Sequence, residues 1–142
     1  MLEEVRKKRI ATEMIRIVHE CDAGMKQGAL YYRASAAAGH PDAFNLLKRA
    51  ARLPYRVEAR IQALITKHGA AVVNLVLASV SSYTLSDLAT ELAPLKVYSD
   101  QLKADYLAGA TLDEIADDIE ANRADINPDE GVPIPPAYVD EF

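Results

Sequence analysis

Two pairs of carboxylates, Asp113/Asp117 and Glu114/Asp118, stand four residues apart, a spacing that sets both members of a pair on one helix face. Acid–base work or cation binding could use such pairs, but no histidine lies near them, and solvated helix surfaces carry them routinely. His19 and Cys21 are two residues apart and so face different ways on a helix. His40 precedes Pro41 in a break, and His68 closes an apolar-periodic run, where a cation complements the helix dipole. Ser81, Ser82 and Cys21 have no base in their sequence neighbourhood, and there is no Gly-rich phosphate loop, G-x-S-x-G or H-E-x-x-H. The sequence therefore reads as non-catalytic, with no catalytic residue, cofactor or metal assigned.

A second constellation is basic. Lys48, Arg52, Arg56 and Arg60 recur every fourth residue and are joined by Arg49, forming one ridge if Pro54 only kinks the helix that carries them. Such a ridge could track a phosphate backbone or hold an acidic protein surface; the plainer alternative is a solvated face balanced by the chain's own acids. Only Tyr55 interleaves it with an aromatic, and the formal net charge is −5, so a protein partner is favoured over nucleic acid. The stretch from Asp105 to Ile119, DYLAGATLDEIADDI, resembles the opening of a helix-turn-helix motif, in which a Gly-containing turn precedes a T-L-x-E-I-A helix. That resemblance implies DNA binding. The place of the recognition helix, however, is taken by Arg123 to Pro128, cut short by proline and set in acidic surroundings, with Arg123 as its single cation.

The elements that position these groups are expected to be all helical. Half of the 142 residues are apolar, supplied by Ala, Leu, Val and Ile with two Phe and no Trp, a composition suited to close-packed helices. Val57 to Val80 is expected to be the buried centre. Its second half, Ala70 to Val80, is apolar at nine of eleven positions and uncharged, which predicts cover on nearly every side; its i+4 steps favour helix over strand. It is too short to span a bilayer, so no membrane is expected. One cysteine and a charged N-terminus without an apolar run lead us to expect no disulfide and no signal peptide, hence a cytoplasmic protein or a particle assembled there.

In chain order, the spacing predicts a helix from Leu2 to about Asp22, loosening at Gly24 and Gly28, and a short helix over Ala29–Ala38 before the break at Gly39-His40-Pro41. Asp42 to about Leu53 is expected to bury Phe44 and Leu47, and Pro54 to end or kink that helix. The next helix runs from Tyr55 to near Gly69. Thr84 with Asp87, and Thr111 with Glu114, are capping-box starts. Between them Pro94 either kinks a helix or opens its successor, which turns Leu95, Tyr98, Leu102 and Tyr106 inward. A last helix covers about Leu112 to Ala124.

Charge divides the chain along its length. Residues 1–67 hold thirteen Lys/Arg against seven Asp/Glu, a balance of +6; residues 68–142 hold three against fourteen, a balance of −11. Either the halves fold against one another, or the basic part of one copy meets the acidic part of the next. From Asn127 four prolines within ten residues impose extended geometry, and the segment still carries Val132, Ile134, Tyr138, Val139 and Phe142. A pre-stiffened arm ending in apolar groups suits docking onto a neighbour. The sequence thus predicts a compact bundle of six to eight helices over residues 1–126 with an extended arm over 127–142. Its expected role is a structural or adaptor subunit of a symmetric assembly, binding copies of itself and a neighbouring component. In general plan this is similar to the small helical neck (head-to-tail adaptor) proteins of tailed-phage virions. The alternative is a helical nucleic-acid-binding regulator using the ridge from Lys48 to Arg60.

Overall fold

The computed structural model describes residues 2–123, and the side chains from residue 4 onward. Seven helices, with no strand among the described residues, follow in order: α1 (Leu2–His19), α2 (Cys21–Ala37), α3 (Ala43–Ala51), α4 (Leu53–His68), α5 (Ala70–Val80), α6 (Leu85–Leu107) and α7 (Leu112–Asn122). The expected arm, with Val132, Ile134, Tyr138, Val139 and Phe142, and the boundary at residue 126 lie outside the described residues.

The glycines at 24 and 28 do not loosen the chain. α2 runs straight through both, and they are buried together with Cys21, Met25, Ala29 and Tyr32 on one face. Each glycine costs a helix about 1 kcal/mol relative to alanine. Tertiary packing overrides that cost here: two missing side chains four residues apart flatten a face that the bundle covers. α2 packs most extensively on α3 and also meets α7.

Helix ends follow local chemistry. Gly39, Gly69 and Gly109 take positive φ of 72°, 85° and 108° at the breaks after α2, α4 and α6. Thr84 and Thr111 each accept from the backbone N–H three residues on, while Asp87 and Glu114 return the bond, so both capping boxes form. The helix expected to end or kink at Pro54 ends just before it, at Ala51, and Pro54 opens α4 in its first turn, where its missing donor is not needed. Pro94 sits inside a single 23-residue α6. Thr90 and Pro94 are both exposed, so the carbonyl that loses its partner faces water.

The core does not centre on Val57–Val80. It gathers Met14 and Ile17 of α1, Met25 and Ala29 of α2, Leu47 of α3, Leu53 and Val57 of α4, and Leu88, Leu92 and Leu102 of α6, closed by Ile115 and Ile119 of α7. α5 is helical as expected, but the chain turns by 112° between α4 and α5, and only Val73 and Leu77 of α5 are buried. Apolar composition implies full cover; two inward positions over about three turns pin the helix against α1. No single described helix is long and apolar enough to cross a membrane.

Candidate docking surfaces

α3 buries Ala43, Leu47, Ala50 and Ala51, and Phe44, one step round the helix, is left 40% exposed instead of entering the core. Tyr106 behaves alike on α6: Leu102 is buried, Tyr106 one turn on is 46% exposed, and Leu107 is 73% exposed. The two rings meet at 6.2 Å between centroids. Together with Leu112 and Ile115 of α7 these residues form a groove of about 270 Å³ between α3, α6 and α7. Its floor is Leu47, Leu102 and Ile115, and Lys48, Arg52 and Lys103 line its edge with no acidic side chain among the lining groups.

Four of the five predicted ridge residues belong elsewhere or have other duties. α3 stops at Ala51 and α4 starts at Leu53, so the run is divided between two helices. Lys48 and Arg52 border the groove; Arg49 borders a separate shallow depression with Ser35, His40 and Asp42. Arg56 and Arg60 are half-buried on α4. Arg52 Nη1 donates to the Ser99 carbonyl and to Asp100 Oδ1, both at 3.2 Å, and its guanidinium stacks 4.2 Å from the Tyr55 ring. Tyr55 in turn donates its hydroxyl to Asp100 Oδ2 at 2.7 Å. The Tyr55 hydrogen bond, then Arg52, holds the Asp100 carboxyl below its ordinary range, and the same bond raises the Tyr55 phenol.

The two electrical halves fold against each other. Arg33 of α2 donates to Glu120 at 2.8 Å and to Asp117, with Asp113 at 3.8 Å, so three α7 acids gather round one guanidinium. Arg123 pairs with Asp22 at 3.3 Å and lies over the Tyr98 ring at 4.0 Å. Tyr98 donates to Asp118, and burial followed by that bond pushes its phenol upward. His19 and Glu91 approach to 3.1 Å, and Lys96 pairs with Glu58. Apart from Tyr98 with Asp118 and Arg123, each of these pairs joins a residue before 68 to one after it. The carboxylates Asp113 and Asp117 are thus occupied by Arg33, and Asp118 by Tyr98.

The remaining candidates separate. Cys21 is buried, which raises its thiol well above the ordinary range. Ser81 donates to the Leu77 carbonyl at the end of α5. α6, Gly109 and α7 form a helix–turn–helix pair whose second helix is the acidic α7; the segment after Arg123 lies outside the described residues.

A further surface is the outer side of α5. Opposite Val73 and Leu77, Leu75 points away from the protein at 71% exposed, flanked one turn to either side by exposed Ala71, Ala78 and Ser79. Composition alone gave no warning of this; the signal was the contrast between the large inward pair and the small residues at 71, 78 and 79. The groove is not legible in the sequence because the spacing of Phe44 and Tyr106 assigns both to the core, whereas both are exposed. Compared with protein-family models, curated proteins and solved structures, the chain matches none.

Proposed function

We propose that this protein is a non-catalytic structural or adaptor subunit that assembles with copies of itself and with a neighbouring component. The supporting observation is the outer face of α5: eleven residues without a charge, with Leu75 projecting. Two-fold pairing lays one face against the same face of a second copy, residue i meeting j and j meeting i, which a face of one charge would oppose and an uncharged face permits. Leu75 of one copy fits between Ala71 and Ala78 of an antiparallel second α5, as a knob enters a hole framed by small residues. One helix pair of this length covers less than the ~1,200 Å² of a stable interface, so the pairing is concentration-dependent and needs contacts elsewhere to persist. Cytoplasmic assembly belongs to the same reading.

Nucleic-acid binding through the Lys48–Arg60 run receives less support, because that run is shared between two helices and Arg52 is held by Asp100. Sedimentation velocity over a hundredfold concentration range tests the proposal. Discrete oligomers should form in the native chain and dissociate in Leu75→Glu with unchanged helicity. A monomer at every concentration overturns it.

A further inference from the structure

We infer that the groove between α3, α6 and α7 seats the C-terminal segment, residues 132–142, of a second copy. This rests on the reading of the chain as a self-assembling subunit.

The groove asks for an occupant of particular chemistry. Its floor is apolar, Tyr106 and Leu107 leave much of their apolar surface in water at its lip, and its space of about 270 Å³ accommodates aromatic or branched side chains. Lys48 and Lys103 stand on the edge, Lys103 also acting on the nearby Asp100 carboxylate, and no acid lines the site. The occupant must therefore bring large apolar groups and negative charge together. Residues 124–142 contain five acidic side chains and no Lys or Arg, and Tyr138 and Phe142 alternate there with Asp140 and Glu141. The terminal carboxylate adds one more charge beside Phe142. Proline fixes its own φ, so Pro133, Pro135 and Pro136 reduce the entropy lost when these anchors dock.

Geometry and charge favour a second copy over the chain's own groove. α7 reaches the groove with its first turn, Leu112 and Ile115, whereas the chain departs from the opposite end at Arg123, which Asp22 and Tyr98 hold. Ten residues of helix, about 15 Å, separate the two ends. The direct line back to the groove lies along α7, whose eleven residues include five acids. Like charge opposes that path, and an arm from another copy arrives without it.

A fluorescein-labelled peptide of residues 127–142, titrated against the full-length protein carrying Tyr138→Ser and Phe142→Ser, tests the inference by anisotropy. Saturable binding is expected. It should weaken at least about tenfold when Lys48→Glu and Lys103→Glu are added to the protein, or when the peptide itself carries Tyr138→Ser and Phe142→Ser. A peptide with Asp140→Lys and Glu141→Lys should recover binding to the Lys48→Glu/Lys103→Glu protein. No saturable binding, or binding indifferent to the groove substitutions, overturns the inference; the peptide variants keep the result decisive if a protein variant fails to fold.

A photo-crosslinking residue at position 142 of the otherwise native chain, in an equal mixture of isotopically heavy and light protein, identifies whose groove is filled. Heavy–light products at Tyr106 or Leu107 are expected, and products confined to single chains overturn the second-copy assignment. Oligomers that persist without peptide binding overturn the inference alone. A protein that is monomeric at every concentration overturns the self-assembly reading directly, whatever the peptide does.

Discussion

Ser99 donates its hydroxyl to the carbonyl of Ala51 across 2.5 Å, at the point where α3 gives way to α4. Ser99 is fully buried and is the single buried polar side chain among the described residues. Its own carbonyl accepts from Arg52 at 3.2 Å, so the junction between two helices is fixed from α6 by a reciprocal pair of bonds. Ser99→Ala leaves the Ala51 carbonyl without this donor. Loss of about 1–3 kcal/mol in urea unfolding is expected, with little change in helicity at 25 °C.

Leu75 and Leu77 are two residues apart with opposite surroundings, 71% exposed and fully buried. Leu77→Ala should cost about 2–5 kcal/mol, through lost burial and a residual cavity. Leu75→Glu should stay within about 0.5 kcal/mol of the native chain when both are measured as monomers. Equal sensitivity at the two positions would mean that α5 is covered on both sides in the protomer.

Gly69 joins α4 to α5 at φ 85° and ψ 143°, and a Cβ built there meets nothing within 4 Å. Space is therefore irrelevant and backbone strain decides. Gly69→Ala should destabilise by about 1–3 kcal/mol, and calorimetry should show a lower unfolding temperature.

The Asp100 carboxyl is held below its ordinary value of 3.8 by Tyr55 and Arg52. A carboxylate depressed in the folded state adds stability that is complete above its unfolded pKa and is lost as pH falls through the folded one. Tyr55→Phe removes the leading cause, so the Asp100 titration followed by carbon-detected NMR should move upward toward 3.8. The loss of stability on acidification should then begin at higher pH.

Much of the fold was legible because its punctuation is chemical. Thr84 with Asp87, Thr111 with Glu114, and the glycines at 39, 69 and 109 mark helix limits by hydrogen bonding and backbone freedom, which are local properties. The role of Gly24 and Gly28 is not legible locally because the same residue type also serves packing, and the choice between the two uses depends on what lies opposite. Phe44, Tyr106 and α5 depart from expectation for a related reason. Hydrophobicity states how much surface gains from burial, and only the arrangement of neighbours decides which side receives it. The charge division was legible as a pattern, and of its two readings the internal one is realised at Arg33 and Arg52. The basic run failed as one ridge because a helix ends within it, at Ala51.

The absence of any charge on α5 has a consequence for how its contact would respond to solvent. Interactions between exposed ions are screened over about 8–10 Å at physiological ionic strength, whereas apolar association is not weakened in that way. Sulfate strengthens apolar burial by its exclusion from protein surfaces. Added electrolyte would therefore loosen whatever Lys48 and Lys103 hold while leaving the Leu75 face as adhesive as before, so a single salt titration sorts the two surfaces.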